Sequence, residues 1–170
     1  MLTGLRAWLA CAAALIGAMP AAAQSIRPPA SVEVLSGYAG FIDDATIDHA
    51  VFGGAARVYL TPRIGVGPEI TYMRGPGDDR DWFFLGNLTW DIRHPRAGRP
   101  RRVSPFLIVG GGFFTHRDRV GTGIFTSSEG AFAGGGGVRV HITDRVYAMG
   151  DYRIGWEPHH RITGGVGLSM

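Results

Sequence analysis

Beyond residue 30 the chain alternates between apolar and polar positions in segments of about ten residues rich in Val, Ile, Phe, Tyr and Gly. Period-two alternation bounded by turn-forming residues is the signature of half-buried strands. It predicts eight of them, near 31–41, 49–60, 64–74, 81–92, 104–114, 129–141, 145–156 and 160–170. No segment after the N-terminal region carries a convincing helical period. The connections differ in kind. Thr61-Pro62-Arg63 and Thr143-Asp144 are tight, whereas 42–48, 75–80 and 115–128 read as longer, more polar loops. Short turns at one end and long loops at the other are the asymmetry of membrane barrels. Two connections depart from it: the turn 93–103 is long, and the loop around Glu157-Pro158-His159 is short.

Successive side chains of a strand point to opposite faces. In the fourth segment Trp82, Phe84, Leu88 and Trp90 share one face, and Phe83, Leu85, Asn87, Thr89 and Asp91 share the other. Trp82 and Trp90 lie eight residues apart, roughly 26 Å at about 3.3 Å per residue. After tilting, that is close to the height of an apolar band between two aromatic girdles. Tyr72, Trp82, Trp90, Tyr152 and Trp156 are the candidate girdle residues. Most other segments divide in the same way, but 104–114 is apolar on both faces and does not sort. The polar faces hold one or two charges per strand among Gly, Ala, Thr and Ser. That suits the inside of a narrow eight-stranded barrel, which side chains just fill, better than a solvated outer wall. The candidate interior charges are Glu33, Glu69, Asp91 and Asp151 against Arg57, Arg139, Arg153 and Arg161. Four acids face four bases, and ionised groups in a low-dielectric lumen must be paired or lie beside water. Folding the first hairpin about Ala45 sets Glu33 opposite Arg57; folding the second about Arg63 sets Arg57 opposite Glu69.

The N-terminus has a different character. Arg6 precedes an apolar run from Ala7 to Met19, then Pro20 and the small residues Ala21-Ala22-Ala23. This is the three-part layout of a secretory signal peptide, and its 13-residue apolar run is shorter than the roughly 20 residues of a spanning helix. Residues 1–23 are therefore expected to be a cleavable signal peptide and 24–170 the barrel domain. Cleavage would leave 147 residues without the one cysteine, Cys11, and lower the formal charge from +3 to +2. An exported domain without disulfides must be held by packing or by the membrane.

Composition sharpens the picture. Charged residues make up 18% and there are 27 glycines, a content that disfavours helices. All 17 basic residues are Arg. They are scattered, and the one dense group (Arg93, Arg96, Arg99, Arg101, Arg102) falls in a Pro/Gly-containing turn. No nucleic-acid partner is expected.

The closing run Thr163-Gly164-Gly165-Val166-Gly167-Leu168-Ser169-Met170 resembles the C-terminal signal read by the barrel assembly machinery. Thr163, Gly165, Leu168 and Met170 occupy its positions, with Met170 where Phe is usual. Together with Tyr59-Leu60-Thr61-Pro62-Arg63-Ile64-Gly65-Val66-Gly67 and Arg139-Val140-His141-Ile142-Thr143-Asp144-Arg145, the chain over 31–170 resembles the OmpA-like/OmpW-like outer-membrane β-barrel superfamily. The resemblance implies an all-β, eight-stranded antiparallel transmembrane β-barrel in the cell outer membrane. It also implies contact with outer-membrane lipid and lipopolysaccharide, assembly by the barrel assembly machinery, a monomer, and no peptidoglycan-binding domain after the last strand.

Three functions are compatible with such a barrel: a structural, envelope-supporting or surface-interaction role; a narrow channel for ions or small hydrophobic solutes; and an enzyme modifying lipid A. The first is the expectation, with no catalytic residue, cofactor or metal. An enzyme needs a nucleophile and base near the outer rim. His116, Ser127, Ser128 and Glu129 flank one outer loop, but no His-x-Ser motif of the lipid A deacylase kind is present. Asp43, Asp44, Asp48 and His49 share the first outer loop, and His159 and His160 the last, without a repeating ligand spacing. Gly134-Gly135-Gly136-Gly137 lacks the Lys and helix of a phosphate-binding loop.

Overall fold

The computed structural model describes residues 30–42, 46–92, 102–120, 123–156 and 159–170. All eight strands form: β1 (Ala30–Ile42), β2 (Thr46–Tyr59), β3 (Ile64–Arg74), β4 (Arg80–Asp91), β5 (Val103–Val120), β6 (Gly123–His141), β7 (Val146–Gly155) and β8 (His159–Ser169). Each pairs antiparallel with the next, and β8 pairs back onto β1, so the sheet closes. At the seam the Met170 amide donates to the Ala30 carbonyl at 2.9 Å. Closure removes the unpaired edges that an open sheet would present. The signal-peptide segment 1–23, the lead Arg27-Pro28-Pro29, Asp43, Asp44 and Arg93 to Arg101 lie outside the described residues.

Ala30 and Met170 sit at one end, here the terminal end, with the turns after β2 and β6, which are built alike. The Thr61 hydroxyl accepts from the Arg63 and Ile64 amides at 3.2 and 3.0 Å, and the Thr143 hydroxyl accepts from Arg145 and Val146 at 3.2 and 2.9 Å. A threonine that bonds its own backbone ahead fixes a tight turn locally. The opposite, distal end carries the β1–β2, β3–β4, β5–β6 and β7–β8 connections.

Alternation places side chains as the sequence suggests. Trp82, Leu88 and Trp90 are exposed on the outer wall while Phe83, Leu85, Asn87, Thr89 and Asp91 are buried inside. Strand β5 sorts after all, with Phe106, Ile108 and Phe114 inward and Leu107, Val109 and Phe113 outward.

Several expectations need correction. The region 115–128 is no loop: β5 and β6 continue as a paired ribbon as far as Val120 opposite Gly123. Its exposed residues include Ile124 and Phe125, whose apolar character its Thr, Ser and Gly content concealed. Likewise 42–48 is mostly strand, since Ile42 pairs with Thr46. That register lies one residue earlier than a fold about Ala45, so Glu33 opposes Ala55, and Arg57 opposes Ser31. The second hairpin is displaced the same way, with Tyr59 opposite Gly65 and Glu69 opposite Ala55. Its ladder breaks between Ala55–Glu69 and Val58–Val66, where Pro68 has no N–H to donate. His159 and His160 belong to β8 and not to a loop. Strand alternation buries His159 inside and turns His160 outward.

Glycines inside the barrel make room for specific neighbours. A Cβ on Gly65 would lie 2.5 Å from Arg57 Cδ, and one on Gly167 would press into the Tyr147 ring. Outward-facing Gly86 would meet nothing nearer than 3.7 Å. Gly167→Ala should therefore lower stability by about 1–3 kcal/mol through overpacking. Gly86→Ala should change it by less than about 0.5 kcal/mol. Urea unfolding of both variants in detergent, followed by tryptophan fluorescence, measures the contrast.

Candidate functional site

The lumen is layered. From the terminal end, β1 presents Glu33, Leu35, Gly37, Ala39 and Phe41 inward, and β4 in reverse order presents Asp91, Thr89, Asn87, Leu85, Phe83 and Asp81. Charged layers thus alternate with apolar ones. Leu35, Phe106, Ile108, Tyr147 and Met149 form one apolar layer; Val51, Met73, Phe83, Leu85 and Phe114 belong to the other.

The eight charged residues separate into two sets, each of two acids and two arginines. Nearer the terminal end, Arg57 forms a two-pronged pair with Glu33, at 2.5 and 3.1 Å, and donates to the Thr89 hydroxyl at 3.1 Å. Arg139 pairs with Asp91 at 2.6 Å, lies 3.6 Å from Glu33, and stacks its guanidinium 4.0 Å above the Phe106 ring. The Tyr147 hydroxyl donates to Glu33 at 2.6 Å. In the second set Glu69 is central. It accepts from Arg153 at 2.8 and 3.2 Å, from Arg161 at 2.6 Å and from Asn87 at 3.1 Å. Arg153 also reaches Asp151 at 2.8 Å, Thr163 donates to Asp151 at 2.6 Å, and Arg161 donates to Thr71 at 3.2 Å. All eight are at most 5% exposed. Charge-assisted, two-pronged bonds of this kind offset the cost of removing guanidinium and carboxylate from water.

The pair expected between Arg57 and Glu69 does not form. Opposite Arg57 on β3 stands Gly67 by the register sum of that hairpin, and Glu69 is taken by β7 and β8 across the lumen.

The girdle candidates all face outward. Tyr72 and Trp82 are cross-strand partners with ring centroids 4.9 Å apart, and Trp156 stacks on Phe132 at 5.8 Å, both near the distal end. Trp90 lies at the other end, with the Arg63 guanidinium 5.1 Å from its ring. Tyr152 is exposed on β7 opposite Ile162. In the closing strand Thr163 and Gly165 point inward, and Leu168 and Met170 point to the outer wall.

At the distal mouth the structure gathers side chains that no motif announced: His49, Asp79, Asp81 and His116. His116 Nδ1 is 2.7 Å from Asp81, and His49 Nε2 is 2.9 Å from Asp79. Asp48, expected beside His49 in a loop, instead accepts from Tyr38 on the outer wall at 2.5 Å. The Ser128 hydroxyl bonds that of Thr115 at 3.1 Å. The expected strands 49–60 and 81–92 already begin at His49 and Asp81 on the inward parity, and one further inward step beyond 104–114 reaches His116. Their convergence depends on register and could not be read from spacing.

A family model described as outer membrane protein beta-barrel domain matches residues 9–166. No curated protein sequence matches the chain significantly. Among solved structures, the chain is similar to Neisserial surface protein A, with TM-score 0.72, 11% identity, and 84% of this chain and 97% of that one covered. It is similar to the N-terminal β-barrel domain of Pseudomonas aeruginosa OprF at TM-score 0.65 and 12% identity, covering 82% and 97%. The attachment invasion locus protein Ail of Yersinia pestis follows at 0.59 and 14%, covering 84% and 97%. At such identities the likeness is one of fold.

The lumen geometry makes Glu69 the residue whose loss should cost most. Glu69→Ala leaves two buried guanidinium groups underpaired and should destabilise the barrel by about 3–5 kcal/mol. Asp78→Ala, which removes an exposed partner 3.7 Å from Arg80, should cost less than about 1 kcal/mol. Urea midpoints in the same detergent give the comparison.

Proposed function

The chain belongs to the outer membrane protein beta-barrel domain family, and from that premise we propose that it is a closed, non-conducting barrel acting through its wall and outer rim. In the outer membrane, the end with the tight Thr61 and Thr143 turns faces the periplasm and the distal end faces outward. The observation that carries the proposal is the filled lumen: two neutral Arg/acid sets with apolar layers between and above them. Ions crossing it would have to break buried pairs, which disfavours the narrow-channel reading. The role is envelope support or surface interaction.

A row of arginines suggests the partner. Arg74, Arg80 and Arg117 are successive neighbours in the register of β3, β4 and β5, and all three are exposed. They stand just beyond the Tyr72–Trp82 pair, at the level where an aromatic girdle meets lipid headgroups. Like charges on directly opposed strand positions repel one another. Phosphates of the outer-leaflet lipopolysaccharide would neutralise the row, because guanidinium groups bind phosphate strongly.

In a planar bilayer the purified barrel should give no stepwise conductance across the voltage range; reproducible steps would overturn the closed-barrel reading. The variant Arg74→Ala/Arg80→Ala/Arg117→Ala should bind phosphorylated lipid A in detergent on the order of tenfold more weakly. Equal binding by the variant would remove lipopolysaccharide phosphate as the partner of this row.

A further inference from the structure

We propose that His49, Asp79 and Asp81, with His116 holding the two carboxylates from behind, form a site for a divalent transition-metal cation of the zinc class at the distal mouth of the barrel. His49, Asp79 and Asp81 each offer a ligand atom, and these three atoms lie within 4.8 Å of one another. His49 Nε2 is 2.9 Å from Asp79 Oδ2 and 3.4 Å from Asp81 Oδ2, while His116 Nδ1 is 2.7 Å from Asp81 Oδ1 and 3.6 Å from Asp79 Oδ1. A tetrahedral zinc with bonds of about 2.0–2.2 Å separates its ligand atoms by roughly 3.3–3.5 Å. His49 Nε2 and the Oδ2 oxygens of Asp79 and Asp81 can meet one ion, while His116 faces the Oδ1 oxygens of the same two carboxylates from the other side. An imidazole and two carboxylates with a fourth position for water are a donor set that borderline cations such as Zn2+ take.

The orientation of His49 points the same way. Its Nδ1 lies 3.2 Å from the Ile47 carbonyl, which only accepts, so Nε2 is the ring nitrogen turned toward the two carboxylates. Backbone bonding of the far ring nitrogen is the usual way a metal-binding histidine is oriented. Asp79 Oδ1, meanwhile, is shielded from solvent and has no hydrogen-bond partner, so a cation would satisfy an acceptor that the protein leaves open.

The local fold is shaped around this cluster. The β3–β4 connection closes with the Gly75 amide on the Asp79 carbonyl at 3.1 Å and passes through Gly77 at φ 67°. That left-handed conformation favours glycine, and the turn it makes brings Asp79 back over the mouth. A Cβ on Gly75 would stand 2.6 Å from His49 Nε2 and closer still to Asp79 Oδ2. The His116 side chain is 31% exposed, which leaves a path from the medium. Arg80, next to both aspartates in sequence, pairs with Asp78 at 3.7 Å on the outside.

The test uses the untagged full barrel in detergent, stripped with a chelator and titrated with Zn2+ by calorimetry and Co2+ by visible absorption. About one equivalent should bind, Co2+ should give the intense bands of a tetrahedral site, and Zn2+ should raise the melting temperature by mass action. His116→Ala and Asp79→Asn, each checked for folding by heat-modifiable gel migration, should weaken binding at least about tenfold. His160→Ala, an outward histidine at the same end, should leave it unchanged. Absence of saturable Zn2+ binding to the wild-type barrel overturns the proposal. So does binding that survives both His116→Ala and Asp79→Asn.

Discussion

An eight-stranded sheet that closes on itself encloses a space only about as wide as the side chains that line it, and whatever is charged there must be neutralised there. This constraint governs the rest of the molecule. Between the girdles the wall carries apolar and aromatic residues outward for lipid, so the charged side chains at that level turn inward. Four arginines and four acids then meet in one confined column. The solution is two separate sets of zero net charge, each bound by charge-assisted hydrogen bonds and separated by aliphatic and aromatic layers. Neutrality set by set matters more than neutrality overall, because charges in a low-dielectric interior interact strongly at short range.

The same confinement explains the glycines. Where one strand sends a large side chain across the lumen, its neighbour carries none: Gly65 lies beside Arg57, Gly167 beside Tyr147, and Gly137 beside Phe106 and Asp151. The run Gly134 to Gly137 follows from this. Its inward members accommodate the close approach of neighbouring strands, and its outward members Gly134 and Gly136 face the wall's exterior. Such pairing of large with absent side chains lets bulky polar groups occupy a narrow barrel without displacing the backbone.

Strand number, strand faces and inward charges were legible because all depend on a period of two. Partners were less legible because they depend on register. Both hairpins fold one residue earlier than the turn composition suggests, which moves every cross-strand partner by two residues but keeps each side chain on its face. Glu33 and Arg57 still meet, since an arginine side chain spans a diagonal step. Glu69 instead meets arginines of β7 and β8, strands remote in sequence whose approach only closure brings about. The β5–β6 ribbon was hidden for a different reason. Thr, Ser and Gly within 115–128 read as loop, yet the two long strands stay in register through Arg117–Thr126 and Arg119–Ile124.

Strand alternation alone does not decide what a buried polar group does; its depth in the barrel does. Glu69 and Arg153, between apolar layers, are sealed from solvent and bonded on several sides, so their charges are spent on holding β3, β7 and β8 together. His49, Asp79 and Asp81 follow from the same alternation and the adjoining turn, but they lie beyond the last apolar layer, with His116 open to the medium. There two carboxylates and an imidazole converge, and Arg80 turns away from them to Asp78. Inside the barrel the protein provides every counter-charge itself. At the mouth it leaves one to come from outside, and that imbalance separates a site from a staple.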